Sequence, residues 1–201
     1  MTEKAIFIGS SSPFQVYAAN KLFEEGIISS VIFEESKSIG FKNKTNFINL
    51  NPKYYYQKFL WGNQNFHNER ILKFNYKNLN AGIKLYKVKN INSEVALSKI
   101  KELNPSIIIA HRTSIIKDKI LQSIQCDFIN ILWGLSPNYG LDGIINPIYF
   151  KNWDGIGFTI HKLDSGIDTG NIVCKEKIEI DEKDNFYSIG LKMTRQAIVY
   201  L

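Results

Sequence analysis

Short apolar runs alternating with stretches of helical spacing narrow the folds open to this chain. Lys4 to Gly9 reads KAIFIG, an apolar run closed by a Gly-Ser turn, which predicts a buried strand. Pro13 to Glu25 places Phe14, Tyr17, Ala18 and Leu22 at helical intervals. Ser30 to Glu34 reads as a second strand, and strand–helix–strand order implies a right-handed parallel unit. The alternation resumes with a strand over Lys84 to Val88 and a helix over Asn92 to Leu103, capped by Asn92 or Ser93 and ended before Pro105. A fourth strand follows at Ser106 to Ala110, a short helix at Ile115 to Ile124 and a fifth strand at Asp127 to Ile131.

The pattern then changes. Gly155 to Lys162 and Asn171 to Ile180 read as strands joined by a tight loop without a helix, so antiparallel pairing is expected. Asp184 to Leu201 reads as a closing helix. The expected architecture is α/β: a Rossmann-like, mostly parallel sheet with helices on both faces and a terminal antiparallel pair, in a single domain spanning residues 1–201. Residues 36–51 read as a polar loop. Residues 52–77 read as a helix interrupted near Gly62, with Tyr54, Tyr55, Tyr56, Phe59, Trp61 and Phe66 as packing residues rather than a base-stacking platform.

Composition excludes several classes. No apolar run approaches the roughly 20 residues that cross a bilayer, and MTEKAIFIG lacks the regions of a signal peptide. The two cysteines, Cys126 and Cys174, and the three histidines show no metal-ligand spacing, so no metal is expected and a reducing cytoplasm is the plain reading. The net charge of +6 comes from scattered lysines. That balance fits a solvated surface, or attraction to an anionic ligand such as a folate glutamate tail or a nucleotide-sugar diphosphate. No motif supports a nucleic-acid partner, and none supports a membrane. The turn Gly9-Ser10-Ser11-Ser12 is not the dinucleotide fingerprint G-x-G-x-x-G. His67 has no partner nearby in sequence and reads as solvent-facing.

In sheets of this kind ligands sit beyond the carboxyl ends of the strands. His111, Arg112, Asn130 and the loop after Asn130 are expected there. The stretch from Asn130 to Gly170 concentrates the chemistry: Asn130, a Ser136-Pro137 turn, His161 within GFTIH, and the loop DSGIDTG from Asp164 to Gly170. Each residue also has a plain reading. Asn130 could form a turn, Asp168 could bond its own backbone, His161 could be a core histidine, and His111 and Arg112 read equally as surface or structural groups.

Taken together, these residues resemble the formyltransferase family that uses 10-formyltetrahydrofolate. Its pattern is roughly N-x-H-x-(S/G)-L-(L/S)-P-x-Y-R-G, then G-x-T-x-H, then D-x-G-x-D-T-G. The resemblance covers about residues 84 to 190. Through VKNINSEVALSKIKELNPSIII, HRTSIIK and WGLSP, it is nearest to a branch that includes amino-sugar N-formyltransferases for surface polysaccharides. It implies catalytic roles for Asn130 and Asp168, with His161 supporting the carboxylate loop. It implies contacts to the formyl donor from His111, Arg112, Thr113 and Ile115, and from Ser165, Gly166, Ile167, Thr169 and Gly170.

For transfer to an amine, the neutral Asn130 amide is a fitting donor to the oxygen that gains charge, and a buried carboxylate can collect the amine proton. The resemblance implies 10-formyltetrahydrofolate as donor and a small-molecule amine as acceptor. The leading acceptor is an amino sugar on a nucleotide, with glycinamide ribonucleotide or an aminoacyl-tRNA as others. Three departures stand out: Leu132 occupies the place of the family's catalytic His, Arg112 that of a Gly, and Gly140-Leu141 that of Arg-Gly. They leave open a catalytically degenerate binding or partner protein and a formyltetrahydrofolate deformylase. Oligomeric state is open, a homodimer being one option. If Asp168 belongs to a site, a basic group from His161, Arg112 or His111 is expected within about 4 Å of it, His161 first.

Overall fold

A computed structural model describes residues 5–35, 78–137 and 143–201. The expected loop over 36–51, the aromatic-rich helix over 52–77, His67 and the Gly140-Leu141 departure lie outside the described residues. Seven strands form one sheet: β1 (Ala5–Ser10), β2 (Ile28–Glu34), β3 (Lys84–Val88), β4 (Ile107–His111), β5 (Asp127–Trp133), β6 (Gly157–Lys162) and β7 (Ile172–Lys177). Their order across the sheet is β3-β2-β1-β4-β5-β6-β7. The first five pair in parallel, whereas β6 and β7 add antiparallel at one edge. The mostly parallel sheet and its terminal antiparallel pair are as the sequence pattern predicts.

Helices cover both faces. On one lie α1 (Pro13–Glu24) and α5 (Phe186–Val199), packed over Phe7, Ile109, Ile131 and Phe158. On the other lie α2 (Glu94–Leu103) and α3 (Asp118–Ser123), packed over Ile6, Ile8, Ile108 and Phe128. This division follows from strand alternation, since residues i and i+2 share a face. A short helix α4 (Ile145–Tyr149) and a single 3-10 turn (Trp153–Gly155) lead into β6.

Local chemistry sets the helix bounds. The Ser93 side chain accepts from the Ala96 amide and starts α2, and Asn104 in a left-handed conformation ends it before Pro105. Asn185 and Ser188 form a reciprocal capping box at α5. Of the expected boundaries that move, two bear on the site. The helix expected from Ile115 starts only at Asp118, because the chain before it is tied elsewhere. Ser114 N donates to Glu34 Oε2, while Asn92 donates to the Ile115 carbonyl and accepts from Lys117 N. β5 extends to Trp133, beyond the expected Ile131, because β6 runs beside it as far as Phe158. Asn130 therefore lies inside a strand rather than at its end. Among the described residues, no helix is long and apolar enough to cross a membrane.

Candidate active site

The antiparallel edge brings the principal polar residues together. In the β5–β6 register Asn130 stands opposite His161, and Leu132 stands opposite Thr159. Phe128 belongs to the face under α2 and α3, so Asn130 and Leu132 project to that side as well. On the parallel side Asn130 is level with Ala110, one residue from the end of β4. The group thus sits beside the carboxyl end of β4.

Asn130 Nδ2 lies 3.0 Å from His161 Nε2, and His161 Nε2 lies 3.5 Å from Asp168 Oδ1. His161 Nδ1 is 3.0 Å from the Lys162 carbonyl oxygen, which can only accept, so Nδ1 carries a proton. The second nitrogen then has two states. In neutral imidazole, Nε2 accepts the Asn130 N–H; in imidazolium, Nε2 carries a proton and faces the Asp168 carboxylate. Burial is the largest influence on His161 and lowers its pKa. Hydrogen bonds to Asp168 and the Lys162 backbone, with the charges of Asp168 and Asp164, outweigh it and leave the pKa above its ordinary value. The expected juxtaposition of Asp168 with a basic side chain is present, and the partner is His161.

The loop that delivers Asp168 is built from its own residues. Asp164 Oδ1 accepts from Gly166 N at 3.0 Å and from Thr169 Oγ1 at 2.8 Å, an Asx-type turn. Gly166 and Gly170 permit two close approaches: a Cβ at Gly166 would fall 1.9 Å from Thr169 Oγ1, and one at Gly170 1.8 Å from the Lys162 carbonyl oxygen. Asp168 itself has φ 55°, a left-handed conformation that Asp tolerates better than most residues. Ser165, Gly166, Ile167 and Thr169 are exposed, whereas Asp168 and Gly170 are half-buried.

The candidates after β4 divide. His111 is fully buried on the opposite face, with its ring centroid 5.4 Å from that of Trp133. Its Nδ1 donates to the Ile131 carbonyl at 2.7 Å, and burial, the largest cause, pushes its pKa down to about 3. It is a neutral core histidine and is not brought to the Asn130–His161–Asp168 group. Arg112 has φ 52°, and its guanidinium carbon lies 4.9 Å from the centre of the Trp133 ring. Thr113 is half-buried and its hydroxyl donates to the Ser114 carbonyl at 2.9 Å, while Ile115 is 62% exposed. Ile167, in the carboxylate loop, is 55% exposed.

One positioning residue stands in the G-x-T-x-H pattern but is given no role from the sequence. Thr159 is completely buried; its hydroxyl donates to the Gly134 carbonyl at 2.7 Å and accepts from Ser136 N at 3.0 Å. It fixes the chain leaving β5. Its signal in the sequence is the fixed Thr of that pattern, a lone hydroxyl in the apolar run GFTIH. Among the described residues, no group of three or more His, Cys, Asp or Glu side chains could hold a metal ion.

The sequence profile of the Formyl transferase family matches residues 57–198. The chain belongs to the formyl transferase family. Among similar proteins of this family, the methionyl-tRNA formyltransferase of Caldicellulosiruptor saccharolyticus is 31% identical over 88 residues, 44% of this chain and 28% of that protein. The GDP-perosamine N-formyltransferase of Brucella melitensis is 26% identical over 95 residues, 47% of this chain and 37% of that one. The chain thus matches only about a third of the length of these curated relatives. The solved phosphoribosylglycinamide formyltransferase of Anaplasma phagocytophilum superposes with a TM-score of 0.60 at 18% identity, covering 98% of this chain and 82% of that one. That likeness shows that the formyl transferase fold, with its antiparallel edge, is the one seen here.

Proposed function

We propose that this chain transfers a formyl group from 10-formyltetrahydrofolate to an amine, and that the amine is an amino sugar carried on a nucleotide. One observation carries the reading: Asn130, His161 and Asp168 converge through a single imidazole nitrogen, at 3.0 and 3.5 Å. The donor supplies the activated formyl carbon. Thr113 and Ile115 on one side, and Ser165, Gly166, Ile167, Thr169 and Gly170 on the other, would flank it. Arg112 would lie at the margin of that surface, against Trp133.

The residues then have separable roles. While His161 is neutral its Nε2 occupies the Asn130 N–H. When His161 is protonated, Nε2 becomes a donor, and the Asn130 N–H is released toward the carbonyl oxygen under attack. Asp168 stabilises the imidazolium and stands within reach to collect the amine proton, directly or through a water. A proton-carrying histidine thereby serves the group although Leu132 offers no proton. The sugar acceptor is supported by the branch resemblance and by the perosamine enzyme among the relatives. A reducing cytoplasm is the matching setting for a reduced folate and for two cysteines that form no disulfide.

The test is a formyl-transfer assay read by mass over a panel of nucleotide-linked amino sugars, with glycinamide ribonucleotide as comparison. Wild type should turn over and Asn130→Ala should lose about tenfold or more. Turnover indifferent to both Asn130 and Asp168 would sink the site. Release of formate with no acceptor would make the protein a deformylase.

Leu132 favours a second reading. It is half-buried on the same face as Asn130 and puts an apolar side chain beside the reacting groups. On that reading the chain binds folate without turning it over, and Leu132→His raises activity from a negligible baseline.

A further inference from the structure

The chain between β4 and α3 is neither helix nor strand, yet its side chains are sorted: Ile115 is 62% exposed and Ile116 is 7% exposed. The backbone groups on either side of Ile116 are held by one side chain from elsewhere. Asn92 Nδ2 donates to the Ile115 carbonyl at 2.9 Å, and Asn92 Oδ1 accepts from Lys117 N at 2.7 Å. We propose that Asn92 is a positioning residue for the formyl donor, holding this segment so that Ile115 faces the ligand and Ile116 the core. The proposal rests on the formyl-transfer reading, in which Thr113 and Ile115 flank the donor.

The geometry follows from what an amide can do. It carries a donor and an acceptor side by side. In a parallel ladder one residue binds the carbonyl before, and the N–H after, the residue opposite it. The Asn92 amide makes the same two bonds around Ile116 and so acts as a one-residue strand. With the backbone fixed in that sense, Ile116 turns into the cluster under α2 and α3, and Ile115 is left outside. A slip of one residue against the clamp would exchange the two isoleucines.

Asn92 is itself anchored. Its N–H donates to Asn90 Oδ1 at 2.8 Å, and the Asn90 carbonyl accepts from Ser93 Oγ at 2.7 Å. Ser93, not Asn92, caps α2. The helix therefore has its start without the Asn92 side chain, whose amide is spent on the segment after β4. Ile91, fully buried, donates its N–H to Glu34 Oε1 at 3.0 Å, while Glu34 Oε2 accepts from Ser114 N at 2.9 Å. Glu34 thus ties the two chains side by side, and Asn92 sets which way the second one faces.

Calorimetry with 5-formyltetrahydrofolate, well below the melting temperature, tests the assignment through a double-mutant cycle. Asn92→Ala should weaken binding about fivefold or more. Ile115→Ser should weaken it as well. The double variant should lose little beyond the larger single effect, because Ile115 is already misplaced once the clamp is gone. Asn92→Asp keeps an acceptor for Lys117 N but sets a carboxylate oxygen against the Ile115 carbonyl, so it should bind no better than Asn92→Ala. If Asn92→Ala does not fold, Asn92→Asp with Ile115→Ser completes the same cycle. Additive losses would overturn the proposal, since Asn92 would then act other than through Ile115. Wild-type affinity in any of the single variants would overturn it too, and a lowered melting temperature with full affinity would make Asn92 structural only. These outcomes leave the formyl-transfer reading intact. A wild-type protein that binds no 5-formyltetrahydrofolate at millimolar ligand would instead refute the donor reading, and this proposal with it.

Discussion

His111 and His161 are both essentially removed from solvent, at 0% and 1% exposure, yet their pKa values move in opposite directions. His111 faces a backbone carbonyl, an indole and a nearby guanidinium. His161 faces a carboxylate, an amide and a carbonyl. Burial alone lowers a histidine's pKa, whereas a carboxylate and hydrogen bonds beside it can outweigh burial and raise it. The two faces of β5 differ in the same way. Toward α1 and α5, Trp133 is locked by Phe14, by its bond to Thr194 and by the His111 ring, which closes the core. On the other side, Asn130 and Leu132 remain half-open.

The largest break in that contrast should come from the closed side. Trp133→Ala should cost about 3–5 kcal/mol of stability, read as a drop in melting temperature or denaturant midpoint. Asn130→Ala should instead cost about 1.4 kcal/mol or more in transition-state stabilisation, the tenfold loss given above, read in turnover, and leave the melting temperature nearly unchanged. A stability loss equal to that of Trp133→Ala would mean that the open face is structural too.

Titration sharpens the histidine comparison. In a ring-proton NMR titration, His161 should titrate above 6.5 while His111 stays neutral until about pH 3. The consequences for stability have opposite signs. The His161 contribution is fully present below the unfolded value of 6.5 and is lost as pH rises through its raised folded value. The His111 contribution is present above 6.5 and is lost as pH falls toward about 3. Asp168→Asn should bring His161 down and leave His111 alone. If His161 keeps its raised value in that variant, Asp168 is not its partner.

The smallest expected effect is at Glu34, 7% exposed, whose carboxylate accepts from Ile91 N at 3.0 Å and Ser114 N at 2.9 Å. Glu34→Gln should cost about 1–2 kcal/mol. It should also loosen the segment carrying Thr113 and Ile115, so that binding of a formyltetrahydrofolate analogue weakens several-fold. Unaltered binding would detach that segment from the donor surface.

Much of the scaffold was legible because buried parallel strands leave near-continuous apolar runs, as in Ile6–Ile8 and Ile107–Ile109. Asn130, His161 and Asp168 were legible as a group only through their joint resemblance to a family pattern. The extent of β5 was not, since its last residues are ordered by a partner strand far along the chain. Nor was the late start of α3, which depends on Glu34 and Asn92 reaching over from elsewhere in the sequence. The face taken by His111 could have been counted from Ile109 by alternation, but its strand-end position drew it into the ligand-binding set.

The antiparallel pairing of β5 and β6 also says which edits the molecule can absorb. Asn130 meets His161 across the sheet by parity, two strands counted against each other. The connection between Trp133 and Gly157 therefore contributes no spacing to the pair, and insertions or deletions within it can be tolerated while the register holds. Removing a single residue between Gly157 and His161 is a different matter, because it turns the imidazole to the far side of the sheet. Length variation among homologues should accordingly concentrate in the connection and vanish within β6, and a graft of the Asn130–His161 pair into another protein needs the strand pair before it needs the loop.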